Sequence, residues 1–335
     1  MKVLFYHLTP FAFAHGGIQI QINQTRRALE QLGVTVEFLR WWDQSQTGDI
    51  LHFFGRLRAS KVRLAQGKGM KVVLAELLTQ QGSRTELSHG VQKVARYALE
   101  RTILRRLGVC TWDAYPVADA CVALTEWEAG LMKKLYGAPP SHVRVVPNGV
   151  EDIFLQSQPA PRGLWLVCSA TITERKRVLE LAEAAVLAQT PLWIIGKPYS
   201  ERDAYARRFV ALAKEHSDVL RYEGPIENRA QLARVYREAR GFVLLSAMES
   251  LSLSALEAAA CDCPLLLSRL PWATTVFGEH ACYCPIGLSP SRVAVFLRQF
   301  YDAAPGLKPP PRPLSWLEVG QQLKCLYETL VCRPA

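Results

Sequence analysis

No D-x-D triplet occurs anywhere in the 335 residues, which excludes the acidic pair that commonly holds a divalent metal on a nucleotide diphosphate. C-x-x-C spacing is missing too. The nine cysteines are odd in number and spread over both halves, with Cys261/Cys263 and Cys282/Cys284 as two C-x-C pairs. His280 lies near them, so a metal site is conceivable. Cys261 and Cys263 fall where a helix passes into a strand, however, and the reading adopted is reduced, mostly buried thiols with no metal site. Long apolar runs are absent: "VRVV" and "FVLLSAM" are far too short to span a bilayer. The N-terminal "MKVLFYHLTPFAFAHGG" has a single lysine, a polar His-Leu-Thr-Pro interruption and no convincing cleavage site, so it reads as a first β-strand rather than a signal peptide. With the odd thiol count, that points to the cytosol. There is no low-complexity tract, no repeat of fixed period, and no helix-turn-helix, zinc-finger or RNP-like aromatic signature.

What is present is a globular composition, 49% apolar and 21% charged, on a chain long enough for two domains of roughly 150 residues each. The formal net charge of +10 suits an anionic substrate, a membrane surface or nucleic acid, and does not choose among them. Short β-type runs alternate with helical patterns from "KVLFYHL" and "GIQIQINQTRRALEQLG" through "ACVALT", "EWEAGLMKKLYG" and "VRVVPNGV". The alternation breaks at "QSQPAPRG" and restarts at "LWLVCSAT", running through "LWIIGK", "VLRYEG", "GFVLLS" and "PLLLS" to "ACYCPI". A second stop, "APGLKPPPRP", precedes a terminal helix, "LSWLEVGQQLKCLYETLV". Alternating strands and helices imply parallel βαβ units. The expectation is an α/β protein of two Rossmann-like domains with a cleft between them, residues 1–157 and 158–314, with residues 315–335 returning to the first.

In open parallel sheets ligands bind beyond the carboxyl ends of the strands, where helices begin. "GFVLLSAMES" ends at such a place and "SLSALEAAA" is the helix that follows, which sets Glu249 in the connecting loop and Glu257 in the helix, eight residues on. Ser252 or Ser254 can cap that helix, and the amides of Leu251, Ser252 and Leu253 then favour an anion such as a phosphate. A carboxylate on either side is a strong acceptor for paired sugar hydroxyls. Taken alone, two glutamates at this spacing are also what a loop charge and a solvated helix residue would give.

The surrounding stretches carry the case. A strand, Glu249, a short loop, a helix bearing Glu257, small residues and "CPLLLS" resemble the E-x7-E signature of retaining family 4 glycosyltransferases, enzymes of GT-B architecture. "AHGGIQIQINQTRRALEQLGVTVEFL", "DILHFFG", "ADACVALTEWEAGLMKKLYG" leading to "VRVVPNGVEDIF", "ERKRVLELAEAA" and "SWLEVGQQLKCLYETL" resemble further segments of that family, in its order and over nearly the whole chain. The resemblance implies transfer of a sugar from a nucleotide-diphosphate donor, a UDP- or GDP-sugar, with retention at the anomeric carbon and no cofactor. Glu249 would contact the transferred sugar and Glu257 the ribose. Leu251, Ser252 and Leu253 would offer amides to the diphosphate, with Ser250 and Ser252 standing where relatives often have glycine. Lys176 aligns with the lysine that neutralises the leaving diphosphate, where a fixed cation acts on charge that grows in the transition state. Gly16 and Gly17 lie between the first strand and first long helix, where a backbone without Cβ can approach a phosphate or sugar.

Two departures stand out. Thr171 occupies the place of a family arginine, and Arg175 or Lys197 could replace it. Leu78, Thr79 and Gln80 occupy the place of a family histidine; His89 is the next candidate, and His15 lies beside the glycine pair. His7 and His52 read as packing or turn residues, and Asn148 and Gly149 as the turn toward the hinge.

The acceptor would be a saccharide or lipid-linked molecule. From Arg56 to Arg106 there are twelve Lys/Arg against three Glu, and "VQKVARYALERTILRRL" is amphipathic. That helix either packs on its domain or docks on anionic lipid at the inner face of the membrane. The alternatives kept open are a sugar-nucleotide-binding protein without turnover, an epimerase of GT-B fold, and, on net charge alone, a nucleic-acid-binding protein.

Overall fold

The computed structural model describes residues 1–11, 16–81, 90–94, 111–156 and 160–332. The chain forms two compact units: Met1–Asn148 with Trp316–Ala335, and Gly149–Ser315. Among the described residues each contains six parallel strands, in the order Thr35–Phe38, Lys2–Tyr6, Ile50–Phe53, Lys71–Leu74, Ala120–Ala123, Val143–Val145 in the first and Cys282–Cys284, Leu265–Ser268, Gly241–Leu244, Leu166–Ser169, Leu192–Ile195, Leu220–Tyr222 in the second.

The first unit carries β1 (Lys2–Tyr6), α1 (Gly17–Gln31), β2 (Thr35–Phe38), β3 (Ile50–Phe53), α2 (Ala59–Gly67), β4 (Lys71–Leu74), β5 (Ala120–Ala123), α3 (Glu126–Lys134) and β6 (Val143–Val145). The second carries α4 (Asp152–Leu155), β7 (Leu166–Ser169), α5 (Val178–Leu187), β8 (Leu192–Ile195), α6 (Ala204–Glu215), β9 (Leu220–Tyr222) and α7 (Arg229–Glu238). It continues with β10 (Gly241–Leu244), α8 (Leu253–Ala260), β11 (Leu265–Ser268), α9 (Pro271–Phe277), β12 (Cys282–Cys284) and α10 (Pro290–Ala303). The last helix, α11 (Trp316–Cys332), rejoins the first unit.

Strands covered on both faces read as continuous apolar runs. In β11, Leu265, Leu266 and Leu267 are all fully buried, as are Phe242 and Val243 of the neighbouring β10. α1 buries Gln21, Ile22, Thr25, Ala28 and Leu29, one stripe of a 3.6-residue period. α11 lies against it. A Cβ on Gly320 would come within 2.9 Å of the Ala28 Cβ, so glycine sets the approach of the two helices, and Lys324 Nζ donates to Leu32 O at 3.0 Å.

The joint between the units falls at Asn148/Gly149 and Ser315/Trp316, rather than at 157/158 and 314/315 as the proline-bearing stretch suggests. Local bonding explains the difference. Val150 N–H donates to Leu314 O at 2.9 Å and pairs with Ser315 in a parallel bridge. Phe154 is fully buried against Tyr236, ring centroids 6.1 Å apart, and Arg237 donates to Ile153 O at 2.5 Å. These contacts hold residues 149–155 on the second unit before the hinge composition begins.

In the second sheet the chain runs from β7 outward through β8 to β9, then returns with β10 on the other side of β7. The strand order therefore reverses between β7 and β10, the kind of position beyond whose carboxyl ends open α/β sheets bind their ligands.

Candidate functional site

Two segments meet at that reversal. Beyond β7, residues Glu174–Lys176 form a single tight turn, and Arg177 follows in the left-handed conformation with φ 52°. Beyond β10 lies the loop Leu245–Ser252. The two are tied by the Ala247 N–H donating to Arg175 O at 2.8 Å. The turn is steadied from behind by Arg177, whose guanidinium donates to Leu288 O at 2.6 Å. The neighbouring β8 loop approaches so closely that a Cβ on Gly196, at φ +146°, would stand 2.0 Å from Ala170 O, a position only glycine can fill.

This framework delivers Lys176, Arg175 and Glu249 to one point. Lys176 Nζ bonds Glu249 Oε1, and Arg175 Nη1 donates to the same oxygen at 3.0 Å and to Met248 O at 3.0 Å. Glu249 is 8% exposed. Burial works to raise its carboxyl, but Lys176 and Arg175 outweigh that and hold it below the usual carboxylate range. Two fixed cations against one anion leave a surplus positive charge beside the start of α8.

Ser252 caps α8, its hydroxyl accepting from Ala255 N–H at 3.4 Å. Helix geometry leaves the first-turn amides of Leu253 and Ser254 with no intrahelical acceptor. Ser250 and Leu251 are buried in the loop. Glu257, in the second turn of α8, is 6% exposed and bonded by Arg229 Nη2. Burial pushes its carboxyl up, Glu151 adds to that, and Arg229 pulls the other way. Here two carboxylates surround one guanidinium, the opposite balance from the Glu249 cluster. The arrangement thus offers an anion-favouring position and a hydroxyl-accepting position a short span of helix apart.

Of the cations suggested in place of an arginine at Thr171, Arg175 is the one brought to Glu249. Thr171 lies two residues past β7, half-buried, and its neighbour Ile172 donates from the backbone to Lys197 O at 3.2 Å. The Lys197 ammonium points instead to Glu227, 3.7 Å away, with 55% of its side chain exposed.

Gly16 and Gly17 sit in the first unit at the entry to α1, Gly16 at φ 141° with its carbonyl accepting from Ile20 N–H at 3.3 Å. His15 and His89 lie outside the described residues, as does most of the basic helical stretch 91–108. His7 shares a 2.7 Å hydrogen bond with Phe54 O. His52 is a core residue: 1% exposed, stacked on Phe54 at 4.3 Å between centroids, and hydrogen-bonded through Nδ1 to the Tyr327 hydroxyl of α11. Cys261 and Cys263 are buried, and Cys261 Sγ lies 3.6 Å from Phe154 O and from Ala233 O.

Arg229 and Glu151 are absent from the sequence reading. The signal for Arg229 was there, in "IENRAQ": Asn228 caps α7 by accepting from Gln231 N–H at 3.0 Å, so Arg229 opens a helix just beyond β9, a location of the same kind as that of Glu249. Nothing in the spacing places Glu151 beside it.

Comparison with known proteins relates the chain to glycosyltransferases. Residues 163–300 match the family model described as Glycosyl transferases group 1. The chain is 31% identical over 219 residues to a D-inositol 3-phosphate glycosyltransferase of Acidothermus cellulolyticus, covering 58% of this chain and 48% of that one. It is 34% identical over 173 residues to the D-inositol 3-phosphate glycosyltransferase of Thermobispora bispora, covering 44% and 40%. The chain therefore spans about half the length of these curated relatives. Among solved structures it resembles a glycosyltransferase of Rickettsia africae (TM-score 0.67, 12% identity, 99% of each chain). It also resembles sucrose-phosphate synthase of Thermosynechococcus elongatus (0.68, 18%, 98% of each). HepE of Anabaena, solved with UDP-glucose, matches at 0.64 and 13%, over 98% of this chain and 100% of that one. With its two six-stranded parallel sheets, the chain has the GT-B architecture. Among the described residues no helix is long and apolar enough to cross a membrane.

Proposed function

We propose that this chain, whose residues 163–300 match the model of the glycosyl transferases group 1, moves a sugar from a nucleotide-diphosphate donor to an acceptor hydroxyl with retention and without a divalent metal. The observation that carries the reading is the convergence of Lys176, Arg175 and the buried Glu249 at the strand-order reversal, ahead of the capped helix α8.

The chemistry follows from those groups. The diphosphate lies against the amides at the start of α8, with Lys176 beside it. As the bond between the anomeric carbon and the phosphate oxygen lengthens, charge accumulates on that oxygen, and Lys176 and Arg175 stabilise it where it develops. Glu249, kept ionised by the same cations, accepts hydrogen bonds from hydroxyls of the transferred sugar. Glu257 accepts from the ribose. The acceptor approaches from the face the diphosphate leaves. Its proton passes to the departing phosphate oxygen as the new glycosidic bond forms, so the anomeric configuration is kept. The donor is a UDP- or GDP-sugar; UDP-glucose in the Anabaena HepE structure favours the former. The acceptor is a saccharide or lipid-linked molecule.

Lys176, Arg175 and the amides at the start of α8 supply the positive charge that a divalent ion would otherwise bring to the diphosphate. Turnover is therefore expected to be unchanged in excess EDTA, and the product of an α-linked donor to be α-linked by proton NMR. Loss of turnover in EDTA that Mg²⁺ or Mn²⁺ restores would refute the metal-independent part, and a β-linked product the retaining part.

A further inference from the structure

We propose that Arg229 positions Glu257 for the donor ribose, its guanidinium being held between the Glu257 carboxylate and a second anchor, Glu151. This rests on the reading of Glu257 as the carboxylate that receives the ribose hydroxyls. Arg229 is a positioning residue here, because it acts through Glu257.

The geometry is that of a clamp. Arg229 Nη2 bonds Glu257 Oε1, while Arg229 Nε donates to Glu151 Oε1 at 3.0 Å. The guanidinium carbon stands 4.7 Å above the ring of Phe154, which is itself fully buried, so the planar group has a wall on one face and a carboxylate at each of two edges. A planar, five-donor group in that setting has little rotational freedom, and it transmits its orientation to whatever it bonds bidentately or along an edge. The three charged groups come from three different segments. Glu151 immediately precedes α4, which contributes Phe154, and the segment is zipped to the end of the unit through Val150 and Leu314. Glu257 comes from α8 and Arg229 from α7.

A reason for the clamp is visible in the burial. Glu257 is 6% exposed and has another carboxylate, Glu151, close enough to push its proton affinity up. A buried carboxylate in that position needs a cation to remain an acceptor. Arg229 supplies it, and by taking one carboxylate oxygen it fixes where the other faces. A ribose hydroxyl pair then meets an oriented acceptor backed by a cation instead of a mobile one.

The test measures discrimination for the ribose hydroxyls. Binding of UDP and of its 2′,3′-dideoxy counterpart is determined by titration calorimetry for the full chain and for Arg229→Met, Arg229→Lys and Glu151→Gln, with GDP and its dideoxy counterpart run alongside. The unaltered protein is expected to prefer the ribonucleotide by about tenfold or more, the worth of a hydrogen bond to a charged acceptor. In Arg229→Met that preference should fall to about twofold, while dideoxy binding changes by less than about threefold, since the phosphate contacts are untouched. Arg229→Lys, which keeps the charge and loses the fork, should be intermediate, and Glu151→Gln should lose part of the preference. If Arg229→Met does not fold, the last two variants carry the same comparison. A preference that stays at its original value in the variants, whatever happens to overall affinity, would overturn the clamp and leave the transferase reading standing. Absence of any UDP or GDP binding by the unaltered protein would overturn the transferase reading itself, and the clamp with it.

Discussion

Lys176→Ala is expected to lower kcat by about 10²–10³-fold in a protein that remains folded, the loss seen when one preorganised stabiliser of developing charge is removed. The side chain is 12% exposed and bonded to Glu249, which holds it in place so that it costs little reorganisation. Folding should survive because Arg175 still pairs with Glu249 and the Ala247 N–H still holds the turn through Arg175 O. The effect should fall on kcat more than on KM, because the ammonium meets more negative charge in the transition state than in the bound donor. Glu249→Gln keeps the shape and removes the acceptor charge. A comparable loss is expected there, with the two cations left facing each other across a neutral amide. Steady-state kinetics on both variants, with circular dichroism to confirm the fold, decide the matter. Near-normal turnover in both would remove these residues from the chemistry.

The second large effect concerns stability and lies in the first unit. His52 is held neutral: burial lowers its pKa from an ordinary 6.5 to about 3. Its Nδ1 has the Tyr327 hydroxyl, but its Nε2 is buried with no partner, so an imidazolium there would carry an unsatisfied N–H. In the unfolded chain the same imidazole takes up its proton near pH 6.5. Below that value the unfolded state therefore binds one more proton than the folded state. The stability His52 contributes is fully present above pH 6.5 and is lost progressively as the pH falls toward 3. Between pH 7 and pH 5 the loss should be about 2 kcal/mol from this residue alone. Urea melts across that range are expected to show a steep slope that flattens in His52→Gln, even though the substitution also lowers stability at pH 7. Identical slopes in the two proteins would contradict the assignment. The histidine thus joins α11 to the first sheet, and mild acid is predicted to loosen that attachment.

The two sheets and the return of the last helix were legible in the sequence because their signals are local. β11 and β10 are uninterrupted apolar runs bounded by turns, and Gly33, at φ 77°, ends the α1 segment as its position suggests. The proline-bearing stretch misled the placement of the joint, since the residues that bind 149–155 to the second unit, Leu314, Ser315 and Arg237, are distant in sequence. Helix α10 was absent from the reading although Val293, Leu297 and Phe300 follow helical spacing behind Pro290. The Glu249 loop was legible through the rule for carboxyl ends of strands, and so was Lys176. That Arg175 and not Lys197 would reach Glu249 was not, because it depends on the left-handed Arg177 and on the bond from Ala247 to Arg175 O. The sequence names Glu257 but not the group that holds it, for a related reason: Glu151 and Arg229 are 78 residues apart and meet only in the folded unit.

The central claim is that the second unit grips a nucleotide sugar through its diphosphate. Thermal unfolding of the full chain with UDP-, GDP- and ADP-sugars, repeated with Lys176→Ala, tests it most directly. One donor class should raise the midpoint in a concentration-dependent way, by about 2.7 kcal/mol of added stability at a hundredfold excess over its dissociation constant, and the alanine variant should lose most of that gain. A midpoint indifferent to every nucleotide sugar, or a rise of equal size in the variant, would contradict the account.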